Sequence, residues 1–217
     1  MSRSHLSSHH SSSTGPHTEG RTIRWAGRYD LLVFLFTLGQ AGRLRSRTAD
    51  LAQLTPGESV LDVGCGTGDL TLEVSRRVGS TGLVAGIDAA PEMIARARQK
   101  AKRRHLELDF RVEPVEQLSF ADQTFDVVVS SLVFHHLPDG VKQQGLAEIQ
   151  RVLKPGGRLL LVDFLGPTHS LLLHSHMQTT LPDLLPLLEE AGFLQLEWQR
   201  GPFPALGSIR GRTAHDF

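Results

Sequence analysis

The stretch Val60-Leu61-Asp62-Val63-Gly64-Cys65-Gly66-Thr67-Gly68-Asp69 runs from an apolar strand into three alternating glycines and on into a helix. Glycine permits positive φ and lets the backbone approach a ligand closely. In an open α/β sheet, ligands sit beyond the carboxyl ends of the strands, at the switch point. The spacing is G-x-G-x-G, not the G-x-G-x-x-G of dinucleotide sites. Asp62 stands two positions before the first glycine. A carboxylate there repels phosphate and favours a cationic ligand group.

A second acidic residue, Asp88, closes the next apolar strand, 24 positions after Gly64. A carboxylate in that place can accept from both ribose hydroxyls. Two carboxylates around a glycine loop suit a ligand with a ribose, an ammonium and no phosphate. S-adenosylmethionine is that ligand. A nicotinamide dehydrogenase is disfavoured by the glycine spacing.

The surrounding pattern alternates strands with helices. Strands are expected at 59–63, 83–87, 108–112, 125–130 and 158–164. Helices are expected at 43–54, 69–78, 91–104 and 141–153, the last ended by Lys154-Pro155-Gly156-Gly157. Near-continuous apolar strands point to a parallel sheet buried on both faces. Beyond Gly166 a helix over 184–191, capped by Asp183, precedes two closing strands at 194–198 and 206–210. The fold class is therefore α/β, a doubly wound, mostly parallel seven-stranded sheet with an antiparallel last strand.

The chain has 217 residues, enough for one core; 40% are hydrophobic and 21% charged. Lys plus Arg and Asp plus Glu both number 23. That balance argues against a surface built for nucleic acid, so no such partner is expected. The single Cys excludes an internal disulfide and a cysteine-rich zinc site, and fits a cytoplasmic location. No apolar run is long enough to span a bilayer. Residues 1–24 are expected to be a disordered tail, with His5, His9, His10 and His17 in solvent. Residues 25–217 then form one domain, with 25–54 as a helical lid. Trp25, Tyr29, Phe34 and Phe36 fit either the core or an apolar lid over a hydrophobic substrate.

Asp62–Asp69, Asp88 with Met93, Phe125-Asp126-Val127 and Arg151-Val152-Leu153-Lys154-Pro155-Gly156-Gly157 together resemble the class I S-adenosylmethionine-dependent methyltransferases. Within that class the chain most resembles the ubiquinone/menaquinone C-methyltransferase branch. Tyr29-Asp30-Leu31, Gly66–Thr71 and Phe120–Asp126 carry that likeness. The resemblance implies that Asp62, Gly64, Cys65, Gly66, Thr67 and Gly68 hold the methionine end. It implies that Asp88 with Ala89 holds the ribose and that Met93 packs near the adenine. Pro114 and Val115 would border the adenine edge, and Ser131 would lie near the methionyl group. Pro114 stands where relatives often carry Asp or Asn, and His135-His136 where the quinone enzymes read Arg-Asn.

The resemblance also implies an acceptor that is small or lipid-like, including a quinol-type carbon. Methylation of a phospholipid amine or another small molecule is the alternative among enzymes. A cofactor-binding partner subunit without transfer is the alternative outside them. Peripheral contact with a membrane stays open. His135 and His136 follow the fourth strand on the acceptor side and are the candidates for a catalytic base. Cys65 reads as a small loop residue, and the basic run from Arg96 to Arg104 as a solvated helix face.

Overall fold

The computed structural model describes residues 41–166, 179–201 and 203–215. The expected tail and the aromatic segment around Tyr29 lie outside those residues. The strands are β1 (Ser59–Val63), β2 (Leu83–Asp88), β3 (Asp109–Val112), β4 (Phe125–Ser131), β5 (Leu153–Phe164), β6 (Leu194–Arg200) and β7 (Leu206–Arg212). The helices are α1 (Ala41–Leu51), α2 (Asp69–Val78), α3 (Pro91–Arg103), α4 (Asp139–Val152) and α5 (Leu184–Glu190).

One sheet holds all seven strands in the order β3-β2-β1-β4-β5-β7-β6. β1 pairs in parallel with both β2 and β4, and β4 with β5. β7 runs antiparallel to both β5 and β6. The expected class is borne out, including the antiparallel last strand. The chain leaves β1 toward β2 and β3, then returns to β4 on the other side. The carboxyl ends of β1 and β4 therefore flank the switch point, where a ligand crevice forms.

Every residue of β1 is buried, as a central parallel strand requires. Successive side chains alternate between two cores. Leu61 and Val63 pack with Val128, Leu161 and the inner faces of α4 and α5. Val60 packs with Val127, Leu160, α1 and α2 through Leu44, Ala49, Leu70 and Val74. Gly68 makes the turn into α2 at φ 80°, and a Cβ there would lie 2.8 Å from that of Ala97. Only glycine allows both the left-handed backbone and this approach of α2 to α3.

Several boundaries differ from expectation. α1, described from Ala41, runs through Gly42, whose side-chain space is open. It stops at Leu51, and Gln53 follows in the left-handed region. Arg158 of β5 donates to the carbonyls of Ala52 and Gln53, satisfying groups that the helix end leaves open. α4 starts at Asp139, after an extended Pro138. Lys154–Gly157 do not form a loop after α4. They belong to β5, whose pairing with β4 shifts register between Phe125 and Val127. Asp183 does not cap α5. Its carboxylate accepts from the amide and hydroxyl of Thr180, closing a 3-10 turn over Leu181–Asp183 that leads into α5.

Candidate active site

A carboxylate at the end of β2 holds the glycine loop, and one near the end of β1 holds the helix behind it. Asp62 is 1% exposed. Its Oδ2 accepts from the Thr71 hydroxyl at 2.6 Å. Burial pushes the Asp62 carboxyl up to about 7; Thr71 opposes the shift and the Asp88 charge adds to it. The site thus holds a buried acid that gains from a positive partner. Asp88 accepts from the Gly66 amide through Oδ2 and from the Ala90 amide through Oδ1, both at 2.9 Å. Burial raises its carboxyl also, against those two amides. Each Asp88 oxygen keeps acceptor capacity beyond its one amide.

A cleft opens above this loop. Asp62, Gly64, Cys65, Gly66, Thr67 and Ser131 line it together, with Leu132 and with Leu44, Arg45 and Thr48 of α1. Gly68, Asp88, Ala89, Met93, Pro114, Val115 and the two candidate bases, His135 and His136, are not in its wall. Gly68 is under α3, and Asp88 and Ala89 are at the end of β2. Met93 is buried against Ala90 in the first turn of α3. Pro114 is brought to β2 by the Glu113 amide, which donates to the Asp88 carbonyl. Val115 is buried in the core, within reach of Gly145 of α4.

The chain leaves β4 through Leu132, at φ 61°. That conformation is rare for a residue with a Cβ and is held by the Leu132 amide donating to the Val162 carbonyl. A 3-10 turn over Phe134–His136 follows. His135 is buried, and its Nδ1 lies 2.7 Å from Oδ1 of Asp163 near the end of β5. Asp163 also accepts the amides of His135 and Phe164. With a carboxylate as acceptor, the ring proton sits on Nδ1 and the lone pair on Nε2. His136 is half-buried, with its ring centroid 3.7 Å from that of His135.

Asp163, Thr71, Arg45 and Thr48 were not anticipated as site residues. Asp163 had a signal: like Asp62 and Asp88, it is a carboxylate near the carboxyl end of an apolar strand. The basic run on α3 is also more than a solvated face. Lys100 donates to the Thr67 hydroxyl and to Asp69, while Arg98 donates to the Phe110 carbonyl. Arg45 pairs with the same Asp69 at 3.0 Å.

The donor set fits S-adenosylmethionine. Asp62 offers buried negative charge for an ammonium. Asp88 offers acceptors for ribose hydroxyls. The glycine loop presents backbone rather than side chains. A model of the methyltransferase domain family matches residues 60–157. The demethylmenaquinone methyltransferase of Thermus thermophilus is 39% identical over 162 residues, covering 73% of this chain and 72% of the relative. The chain belongs to the class I S-adenosylmethionine-dependent methyltransferases, on the ubiquinone/menaquinone C-methyltransferase branch.

This methyltransferase is also 38% identical to the ubiquinone/menaquinone biosynthesis C-methyltransferase UbiE of a Geobacter species. That match spans 66% of the chain and 61% of the relative. The crystal structure of a SAM-dependent methyltransferase from Methanosarcina mazei superposes with a TM-score of 0.63 at 25% identity, over 75% of the chain and 95% of that structure. The enzyme uses S-adenosylmethionine and transfers its methyl group. Among the described residues, no helix is long and apolar enough to cross a membrane.

Proposed function

We propose that this methyltransferase methylates a ring carbon of a lipophilic quinol-type acceptor, with residues 25–217 as its transferase domain. The observation that carries the reading is the 39% identity to a demethylmenaquinone methyltransferase over 72% of that relative. The His135–Asp163 pair supports it chemically. An aromatic ring carbon becomes nucleophilic when a neighbouring phenol loses its proton, so the reaction needs a base.

The cofactor supplies an electrophilic methyl on a sulfonium. Asp62 and the Gly64–Gly68 loop hold its amino-acid end, and Asp88 its ribose. His135, with Nδ1 held by Asp163, accepts the phenolic proton at Nε2. The ring carbon then forms its bond to the methyl as the carbon–sulfur bond breaks, and the electron pair stays on sulfur. The ring carbon then loses its proton to solvent, which restores aromaticity, and His135 returns its proton to the phenolate oxygen. The net release is one proton for each methyl transferred. Positioning two reactants in line supplies much of the acceleration. The base contributes about 10²–10⁴-fold more.

A screen with labelled S-adenosylmethionine tests this reading. Demethylated quinols, phospholipids and small amines are offered in parallel. Label on a quinol ring carbon is expected. Label on a phospholipid amine, with none on quinols, overturns the acceptor and removes the need for a base.

A further inference from the structure

α1 supplies part of the cleft wall through Leu44, Arg45 and Thr48. Thr48 differs from its neighbours on that helix. It is 1% exposed, between Leu44 and Ala49 on the buried face. Among the described residues its Oγ1 has no hydrogen-bond partner, and it has no contact with solvent. A buried hydroxyl without a partner costs about 1–3 kcal/mol. Such groups are rare in native structures, and each calls for a partner the bare chain does not supply. Across the same cleft stands the buried carboxylate of Asp62, so the cleft already discriminates by charge. A ligand whose ammonium meets Asp62 carries its carboxylate on the same α-carbon, beside that ammonium. That carboxylate needs a donor.

We propose that Thr48 is a binding residue, donating its hydroxyl to the carboxylate of the cofactor's amino-acid end, so that α1 closes the site as a ligand-contacting lid. The proposal rests on the cofactor occupying this cleft. Arg45 adds positive charge to the same wall, held beside the cleft by Asp69. The Arg77 side chain clamps the lid from outside by donating to the Ser46 carbonyl and to Asp50. Thr48 therefore reaches the ligand from a helix already docked on α2.

Calorimetry on the full chain with two ligands tests this. S-adenosylhomocysteine carries the amino-acid end; methylthioadenosine keeps the nucleoside and the sulfur but lacks ammonium and carboxylate. Thr48→Val should weaken S-adenosylhomocysteine roughly 10–100-fold, the scale for one hydrogen bond to a charged group. Methylthioadenosine affinity should stay within about threefold. Thr48→Ser keeps the hydroxyl and should bind both ligands like the wild type. The ligand-free melting temperature of Thr48→Val should hold or rise, because the substitution removes an unpartnered polar atom. Unchanged S-adenosylhomocysteine affinity in Thr48→Val overturns the proposal. So does an equal loss for both ligands, or a loss that Thr48→Ser shares. A wild type that binds neither ligand overturns the cofactor assignment of the cleft itself.

Discussion

Nδ1 of His135 and Oδ1 of Asp163 lie 2.7 Å apart, although 28 residues separate them in the chain. Both side chains are buried, and Asp163 accepts the His135 amide as well. The carboxylate therefore fixes both the position of the turn and the tautomer of the ring. His135→Gln should lower kcat about 10²–10⁴-fold on a quinol acceptor. Asp163→Asn should lower it too, because an amide can donate to Nδ1 and move the proton to Nε2. S-adenosylhomocysteine affinity should stay unchanged in both. Steady-state kinetics with parallel calorimetry checks this; a rise in KM alone would reduce the pair to a structural clasp.

Asp62 links ligand binding to pH. Its carboxyl is raised by burial from 3.8 to about 7. The folded, ligand-free protein then holds a proton more tightly than the unfolded chain. The contribution of Asp62 to stability is full below about pH 4 and is lost as pH rises through about 7. The loss is on the order of a few kcal/mol. Asp62→Asn should therefore be the more stable protein at pH 8, and the gap should close by pH 4. Wild-type affinity for S-adenosylhomocysteine should rise toward pH 7 and flatten above it, since the ammonium binds the ionised acid. Denaturant melts and calorimetry across pH 4–8 test both arms. A wild-type-to-variant stability difference independent of pH contradicts the buried-acid account.

Much of this was legible locally. β1 shows itself because Ser59–Val63 is buried on both faces and ends in glycine. Gly68 and Pro91 mark the starts of α2 and α3 by their backbone chemistry. What could not be read was pairing at a distance. Periodicity in 43–54 shows that α1 has a buried face, not that this face covers the cleft. Thr48 looks like a polar residue tolerated among Leu44 and Ala49. The Lys154–Gly157 segment carries turn residues, yet it lies within β5, at the irregularity where the pairing with β4 shifts register; its glycines bond instead to Thr213 and Ala214, just beyond β7. Asp183 has the composition of a cap, but Thr180 captures its carboxylate first.

Asp88 does two jobs, and one substitution separates them. Asp88→Ala should weaken S-adenosylhomocysteine and methylthioadenosine alike, by roughly 2–3 kcal/mol, since both carry the ribose. It also strips acceptors from the Gly66 and Ala90 amides, so stability should fall by about 1–3 kcal/mol. Asp88→Asn keeps one carbonyl acceptor and should recover part of each loss. Equal affinity in wild type and Asp88→Ala would remove this residue from the ribose site.

The clamp on α1 can be loosened without touching the cleft wall. Arg77 projects from α2 and donates to the Ser46 carbonyl at 2.8 Å, the Ser46 hydroxyl at 3.1 Å and Asp50 at 2.7 Å. It also pairs with Glu73 on its own helix. Its side chain is 15% exposed, so these contacts are only partly screened. Arg77→Met keeps the aliphatic stem but removes the contacts to Ser46 and Asp50. Leu44 and Ala49 still anchor α1 in the core, so the helix should stay docked most of the time. The overall loss of stability should be about 1–3 kcal/mol. Local opening should grow more than global unfolding does, because α1 loses its ties to α2 while Glu73 of α2 keeps its pair with Arg76. Hydrogen exchange should therefore speed up at α1 amides and remain near the wild-type rate in β1 and β4. S-adenosylhomocysteine should dissociate several-fold faster, with its association rate little changed, because release then waits on a looser lid. Stopped-flow dissociation and exchange mass spectrometry measure the two effects on the same variant. If α1 exchanges faster while the dissociation rate holds, α1 is a docked helix that plays no part in retaining the cofactor.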